Sequence, residues 1–301
     1  LSAAARPGSH WLRHGVVYAA MLPMLATVLF AYLGTVFWSV RVSVSSSRTL
    51  PSSDFVGLAQ YTRLFASERW LMSLENVVVF GVIFIAACLV LGFLLAVFID
   101  QKVAGEGVLR TVFLYPYAMS FVATGLIWQW VLNPELGIQS TVRALGFETF
   151  TFDWIATQDK VMYAIALAAV WQAAGLVMAL MLAGLRGIDD SLWKAARIDG
   201  IPTWRVYMSI VLPMLGPSIG TAVVLLAVSV VKVYDVVVAM TQGGPGLASE
   251  VPGKFIMDNL FGRANIGLAS AASTVLLLTV LALLAPWMYA RARAARNGGH
   301  R

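Results

Sequence analysis

The chain has 301 residues, of which 59% are hydrophobic and 12% charged, with a net charge of +6; an ordinary soluble domain has roughly 25% charged residues. Water is therefore not its main solvent. The positive balance lacks the interleaved basic and aromatic residues of a nucleic-acid surface, so no nucleic-acid partner is expected.

A hydrocarbon layer about 30 Å thick takes about 20 apolar residues to cross. The first charge-free run is Gly15 to Val40. It is too long for a secretory leader and no small-residue cleavage site follows it, so it reads as a retained span. Val77 to Ile99, Thr111 to Leu132 and Val161 to Leu185 are the next three. Leu215 to Met240 is broken only by Lys232 and Asp235, and Ile266 to Ala290 is the last. The expected fold is all-α and integral to the membrane: six transmembrane helices in one domain over residues 1–301, with no inserted soluble domain. With both termini inside, the inner segments carry net +7 and the outer loops −1, the asymmetry that retains basic residues on the cytoplasmic side.

Cys88 is the only cysteine, which excludes an intrachain disulfide or a cysteine metal site and leaves a small packing residue. His10, His14 and His300 lie in the polar tails, so no histidine-based catalytic or metal constellation falls in the membrane. No G-x-x-x-x-G-K-[ST] phosphate loop occurs, and ATP hydrolysis by this chain is not expected.

The inner loop, residues 186–214, is the most informative stretch. Leu192, Trp193, Ala195, Ala196 and Ile198 supply about two turns of helix, and Asp189, Asp190 and Ser191 supply N-terminal caps. Gly200 permits a left-handed turn, Pro202 suits the start of a second helix, and Pro213 interrupts the chain where it re-enters the membrane. The expected shape is helix, sharp turn, helix, with two alanines that let another surface approach.

These residues resemble the E-A-A-x3-G-x9-I-x-L-P pattern of ATP-binding-cassette importer permeases. Lys194, Ala195, Ala196, Gly200, Ile210, Leu212 and Pro213 stand at its positions, with Lys194 in place of the acid. Phe55 to Tyr61, Trp128 to Ser140, Leu182 to Ile188 and the TQGGPG turn, Thr241 to Gly246, are similar to the carbohydrate branch and its maltose-type first permease. The resemblance implies that Trp193 to Gly200, Asp199 included, form a coupling helix docking in an ATPase cleft. It implies a second related permease, two ATPase subunits that hold ATP and Mg, and an extracytoplasmic sugar-binding protein, in a bacterial or archaeal inner membrane. The cargo it implies is a glucose-like monosaccharide or an α-glucoside. Glycerol phosphate, carried by members of the same family, is the alternative, and a self-contained secondary carrier or channel is the rival from another class.

Candidate path residues follow from burial cost. Trp171 and Gln172 near the middle of the fourth span offer a ring to stack on a sugar and an amide for its hydroxyls; ordinary helix packing is the competing reading. Thr124, Ser229, Ser273 and Thr274 add hydroxyls, which in membrane helices also bond their own backbone. Lys232 and Asp235, three apart on one helical face, read as a local pair, a subunit contact or part of the path.

Overall fold

The computed structural model describes Tyr18, residues 20–101 and residues 103–298. Arg6, His10, Arg13, His14, Lys102, His300 and Arg301, on which part of the topology argument rests, lie outside the described residues, as does the start of the first expected span. The helices are α1 (Ala20–Ser43), α2 (Ala59–Phe65), α3 (Glu68–Asp100), α4 (Glu106–Leu114), α5 (Phe121–Val131), α6 (Ile138–Ala144) and α7 (Val161–Leu185). They continue with α8 (Asp190–Ile198), α9 (Thr203–Met214), α10 (Gly216–Val231), α11 (Tyr234–Met240), α12 (Pro252–Met257) and α13 (Ile266–Gly298). Among the described residues the only extended pairing is an isolated bridge between Ser45 and Phe55. Among the described residues four helices are long and apolar enough to cross a membrane, or up to six if each of two bent pairs is one span.

The chain forms two compact units. One takes the described residues up to Ala66 together with Asn259–Leu277. Here the serine run after α1 is laced to the start of α13: the amides of Ile266 and Gly267 donate to the carbonyls of Arg48 and Ser47 at 3.3 and 2.9 Å, and Gln60 Nε2 donates to Ser45 O at 2.9 Å. A Cβ on Gly267 would lie 2.8 Å from that Gln60 nitrogen, so only glycine fits the crossing.

The other unit holds Ser67–Asp258 and the chain from Leu278 onward. Its centre is α7, whose apolar face is not a stripe: most of its residues are buried all round, as a central membrane helix requires. Repeated alanines and Gly175 make this possible by letting neighbours approach closely. The most extensive helix pair is α3 with α7, where a Cβ on Gly92 would come within 2.5 Å of Val177 Cγ1.

Two apolar runs are not continuous helices. The run from Thr111 to Leu132 bends by 100° between α4, with its 3-10 extension Tyr115–Ala118, and α5. Pro116 has no N–H to continue the ladder, and Ser120 Oγ accepts from Ala123 N at 3.1 Å to start the next helix. The run from Leu215 to Met240 divides into α10 and α11 at Lys232 and Val233, and α9 meets α10 at 69° where Pro213, Gly216 and Pro217 cluster.

Candidate functional site

A broken helix in hydrocarbon survives only where protein re-satisfies the freed backbone groups. At the α4–α5 break that partner is Gln172, on α7: its Nε2 donates to Met119 O at 2.8 Å. Gln172 is 2% exposed, and its Oε1 is buried with no partner among the described residues. The side chain lines a narrow cavity with Ser229 and the rings of Phe80, Phe84, Tyr117 and Phe121. Ser229 Oγ donates to Leu225 O at 3.1 Å, leaving its acceptor capacity open. Gln172 and Ser229 are thus brought together.

The other path candidates are not among the residues that line this cavity. Trp171, 38% exposed, points from a different face of α7 and meets Trp128 edge-on, with ring centroids 5.9 Å apart at 69°. Thr124 is fully buried in α5, which packs on α11, and its hydroxyl has no partner among the described residues. Ser273 and Thr274, in the first unit, donate to Ala269 O at 2.9 Å and Ser270 O at 2.8 Å in their own helix. Lys232 and Asp235 make no ion pair with each other among the described residues, because the helix that would set them on one face ends between them. Lys232 is exposed at that break. The rings of Tyr117 and Phe121 beside Gln172 were invisible in the sequence, since only the helix break turns them toward α7.

The segment from Asp189 to Met214 has the expected helix–turn–helix form. Asp189 Oδ1 accepts from Ser191 N at 2.8 Å and caps α8; this backbone hydrogen bond holds the Asp189 carboxyl below its ordinary range. At the other end Gly200 has φ +66. The amide of Ile201 donates to Ala196 O at 3.0 Å and that of Gly200 to Arg197 O at 3.2 Å, the two reverse bonds of a Schellman turn. Trp193 packs on Tyr207 of α9, with centroids 5.3 Å apart, and Ala196 is buried beneath. Pro202 stands at the N-cap of α9 rather than inside its first turn. Ile210 is half-buried, and Leu212 and Pro213 run on through the same helical segment to the 69° bend. Lys194, Ala195 and Asp199 are exposed. Arg186, at the base of the segment, bonds Glu106 at 2.6 Å and lies 3.9 Å from Asp100, tying it to the turn between α3 and α4.

A second charged cluster lies beyond the TQGGPG turn. Arg69 at the start of α3 pairs with Glu250 at 2.7 Å and with Asp258, and Lys254 pairs with Asp258 at 2.6 Å. Asn76 Nδ2 donates to the carbonyls of Leu247 and Glu250 at 3.1 and 2.9 Å. Burial pushes the Glu250 carboxyl up, against the pull of Arg69. For Asp258 burial acts upward too, but Lys254 and Arg69 outweigh it and hold the carboxyl low. The Lys254–Asp258 spacing is readable as an i,i+4 pair; Arg69, far away in sequence, gives no such signal.

A helical membrane subunit with a polar niche at a broken span and a capped helix–turn–helix between spans has the design of a transport permease. Residues 89–294 match the binding-protein-dependent transport system inner membrane component family, and the chain belongs to it. The probable ABC transporter permease protein PH1215 of Pyrococcus horikoshii is 34% identical, over 89% of this chain and 93% of its own length. The trehalose/maltose transport system permease protein MalF of Thermococcus litoralis is 28% identical, over 88% and 89%. Among solved structures, a bacterial ABC transporter involved in the import of the acidic polysaccharide alginate shares the fold, with a TM-score of 0.80 over 93% of this chain and 96% of that one at 18% identity.

Proposed function

We propose that this chain is one of two permease subunits of an ATP-driven importer for a neutral sugar, with the 186–214 segment on the cytoplasmic side as the coupling loop. The observation that carries the cargo reading is Gln172: a buried amide whose oxygen has no protein partner, set among aromatic rings, suits the hydroxyls and apolar faces of a sugar. The cavity measures about 20 Å³, room for about one water, which needs roughly 10–15 Å³, and far too little for a sugar. A sugar therefore enters only when the helices part, against a wall completed by the second permease. Trp171, Thr124, Lys232, Asp235, Ser273 and Thr274 are further candidates for the path when it is open. Separate ATPase subunits with ATP and Mg, and an extracytoplasmic binding protein that delivers sugar, complete the importer. ATP binding there biases the two-state opening of the path through α8 and α9.

The test is uptake of labelled glucose, maltose and glycerol 3-phosphate by the assembled importer. Gln172→Ala and Trp171→Ala are expected to lower sugar uptake by roughly five- to tenfold each, the loss of about 1 kcal/mol of contact. Glycerol 3-phosphate as the only transported compound, with loss of uptake in Lys232→Met, would move the assignment to a phosphate-bearing cargo.

A further inference from the structure

The face that α8 leaves open defines the chemistry of what covers it. Ser191, Lys194, Ala195 and Ile198 are spaced i, i+3, i+4 and i+7, hence share one side of the helix. All four are exposed, and Ile198 is 85% exposed. The opposite side is occupied, with Trp193 on Tyr207 and Ala196 buried. The open face is small at Ser191 and Ala195 and apolar at Ile198, and its flank is cationic on balance, with Lys194 and Arg197 exposed beside a single acid within α8, Asp190. Asp190 lies four residues earlier, a spacing at which an acid and a lysine can meet, yet among the described residues Lys194 has no ion-pair partner. At the end of α9 nearest the turn, Trp204 is exposed with the Arg205 guanidinium 5.5 Å from its ring centroid, so this flank is also cationic and aromatic.

We infer that the cleft of the ATPase that receives this helix carries a carboxylate opposite Lys194, within an apolar pocket for Ile198. The inference rests on the docking reading proposed above and specifies its partner. A surface that covers Ala195 and Ile198 closely must take the Lys194 ammonium out of water, and a buried ammonium is tolerated only beside an acidic group that also bonds it. A cationic cleft repels this subunit, so the charge selects which ATPase it accepts. Among the described residues no ion pair uses the Lys194 side chain, and Ile198 is exposed, so both can be changed without removing a contact that holds the fold.

The experiment purifies the assembled importer through a tag on this chain. It measures ATPase subunit, identified by mass spectrometry and nucleotide hydrolysis, per permease recovered from the membrane. Lys194→Glu and Ile198→Asp are each expected to lower retained ATPase by roughly tenfold or more, and an acid-to-lysine change in the ATPase cleft is expected to recover binding to the Lys194→Glu permease. Loss of ATPase with Ile198→Asp but full retention with Lys194→Glu would overturn the acidic cleft and leave docking intact. Full retention with both variants would overturn the docking reading as well.

Discussion

Gln172 donates its side-chain amide to the carbonyl of Met119 at 2.8 Å, across a contact between a continuous span and the break in its neighbour. Its nitrogen holds the break together, and its oxygen has no hydrogen-bond partner among the described residues.

Gln172→Ala and Gln172→Leu leave the Met119 carbonyl without its donor, at a cost of about 1–3 kcal/mol for a buried orphan acceptor. Both variants are expected to unfold in detergent at a lower temperature than the unaltered chain, with Leu the milder change because it keeps volume. A thermal midpoint unchanged in both would show that the break is held by other contacts.

Close helix approach gives a second expectation. A Cβ on Gly175 would run into the Phe113 carbonyl, whereas one on Gly107 would meet nothing within 4 Å. Gly175→Ala is expected to destabilise by about 1–3 kcal/mol through overpacking, and Gly107→Ala to stay near the unaltered chain. Thermal unfolding of the pair decides it, and equal midpoints would contradict the close approach of Phe113 on α4 to Gly175 on α7.

The Arg69 cluster gives an expectation for stability and for pH. Glu250 is 2% exposed, so Arg69→Met strands a buried carboxylate and is expected to cost about 3–5 kcal/mol, whereas Arg69→Met with Glu250→Leu recovers much of that loss. Asp258 sits below its ordinary pKa; its contribution is present above the unfolded value of about 3.9 and lost as pH falls through the folded value. Glu250 sits above its ordinary value; its contribution is greatest below the unfolded value and is lost as pH rises through the folded one. Asp258→Asn should therefore remove part of the acid-side loss, and Glu250→Gln part of the decline above it. Stability curves against pH that are superimposable on the unaltered chain would contradict both assignments.

The long apolar runs and the 186–214 segment were legible in sequence because their signals are local. Val161 to Leu185 is a helix with those bounds, and Asp189, Gly200 and the pattern between them set the cap, the turn and the open face. The divisions at Pro116–Ser120 and at Lys232–Val233 were not legible. Hydropathy counts apolar residues and is blind to backbone direction, and the side chain that satisfies the Met119 carbonyl at the first break comes from Gln172, 53 residues away. For the same reason Lys232 and Asp235 read as helical neighbours although a helix end lies between them. Trp171 and Gln172, adjacent in sequence, share neither a face nor a set of neighbours, since successive residues on a helix point about 100° apart.

The most direct test of the central claim, that α8 and α9 form the docking element of an importer permease, is Gly200→Asp. Its φ of +66 suits glycine, and a Cβ there would meet no atom of this chain within 4 Å. The local cost of about 1–2 kcal/mol falls on the turn alone, and the added carboxylate enters open space beside α8. Membrane abundance, co-purified ATPase and uptake of labelled sugar are measured together against the unaltered chain. The account predicts near-normal abundance of the permease, with ATPase association or its coupling to uptake lost; normal ATPase recovery together with normal sugar uptake would contradict it.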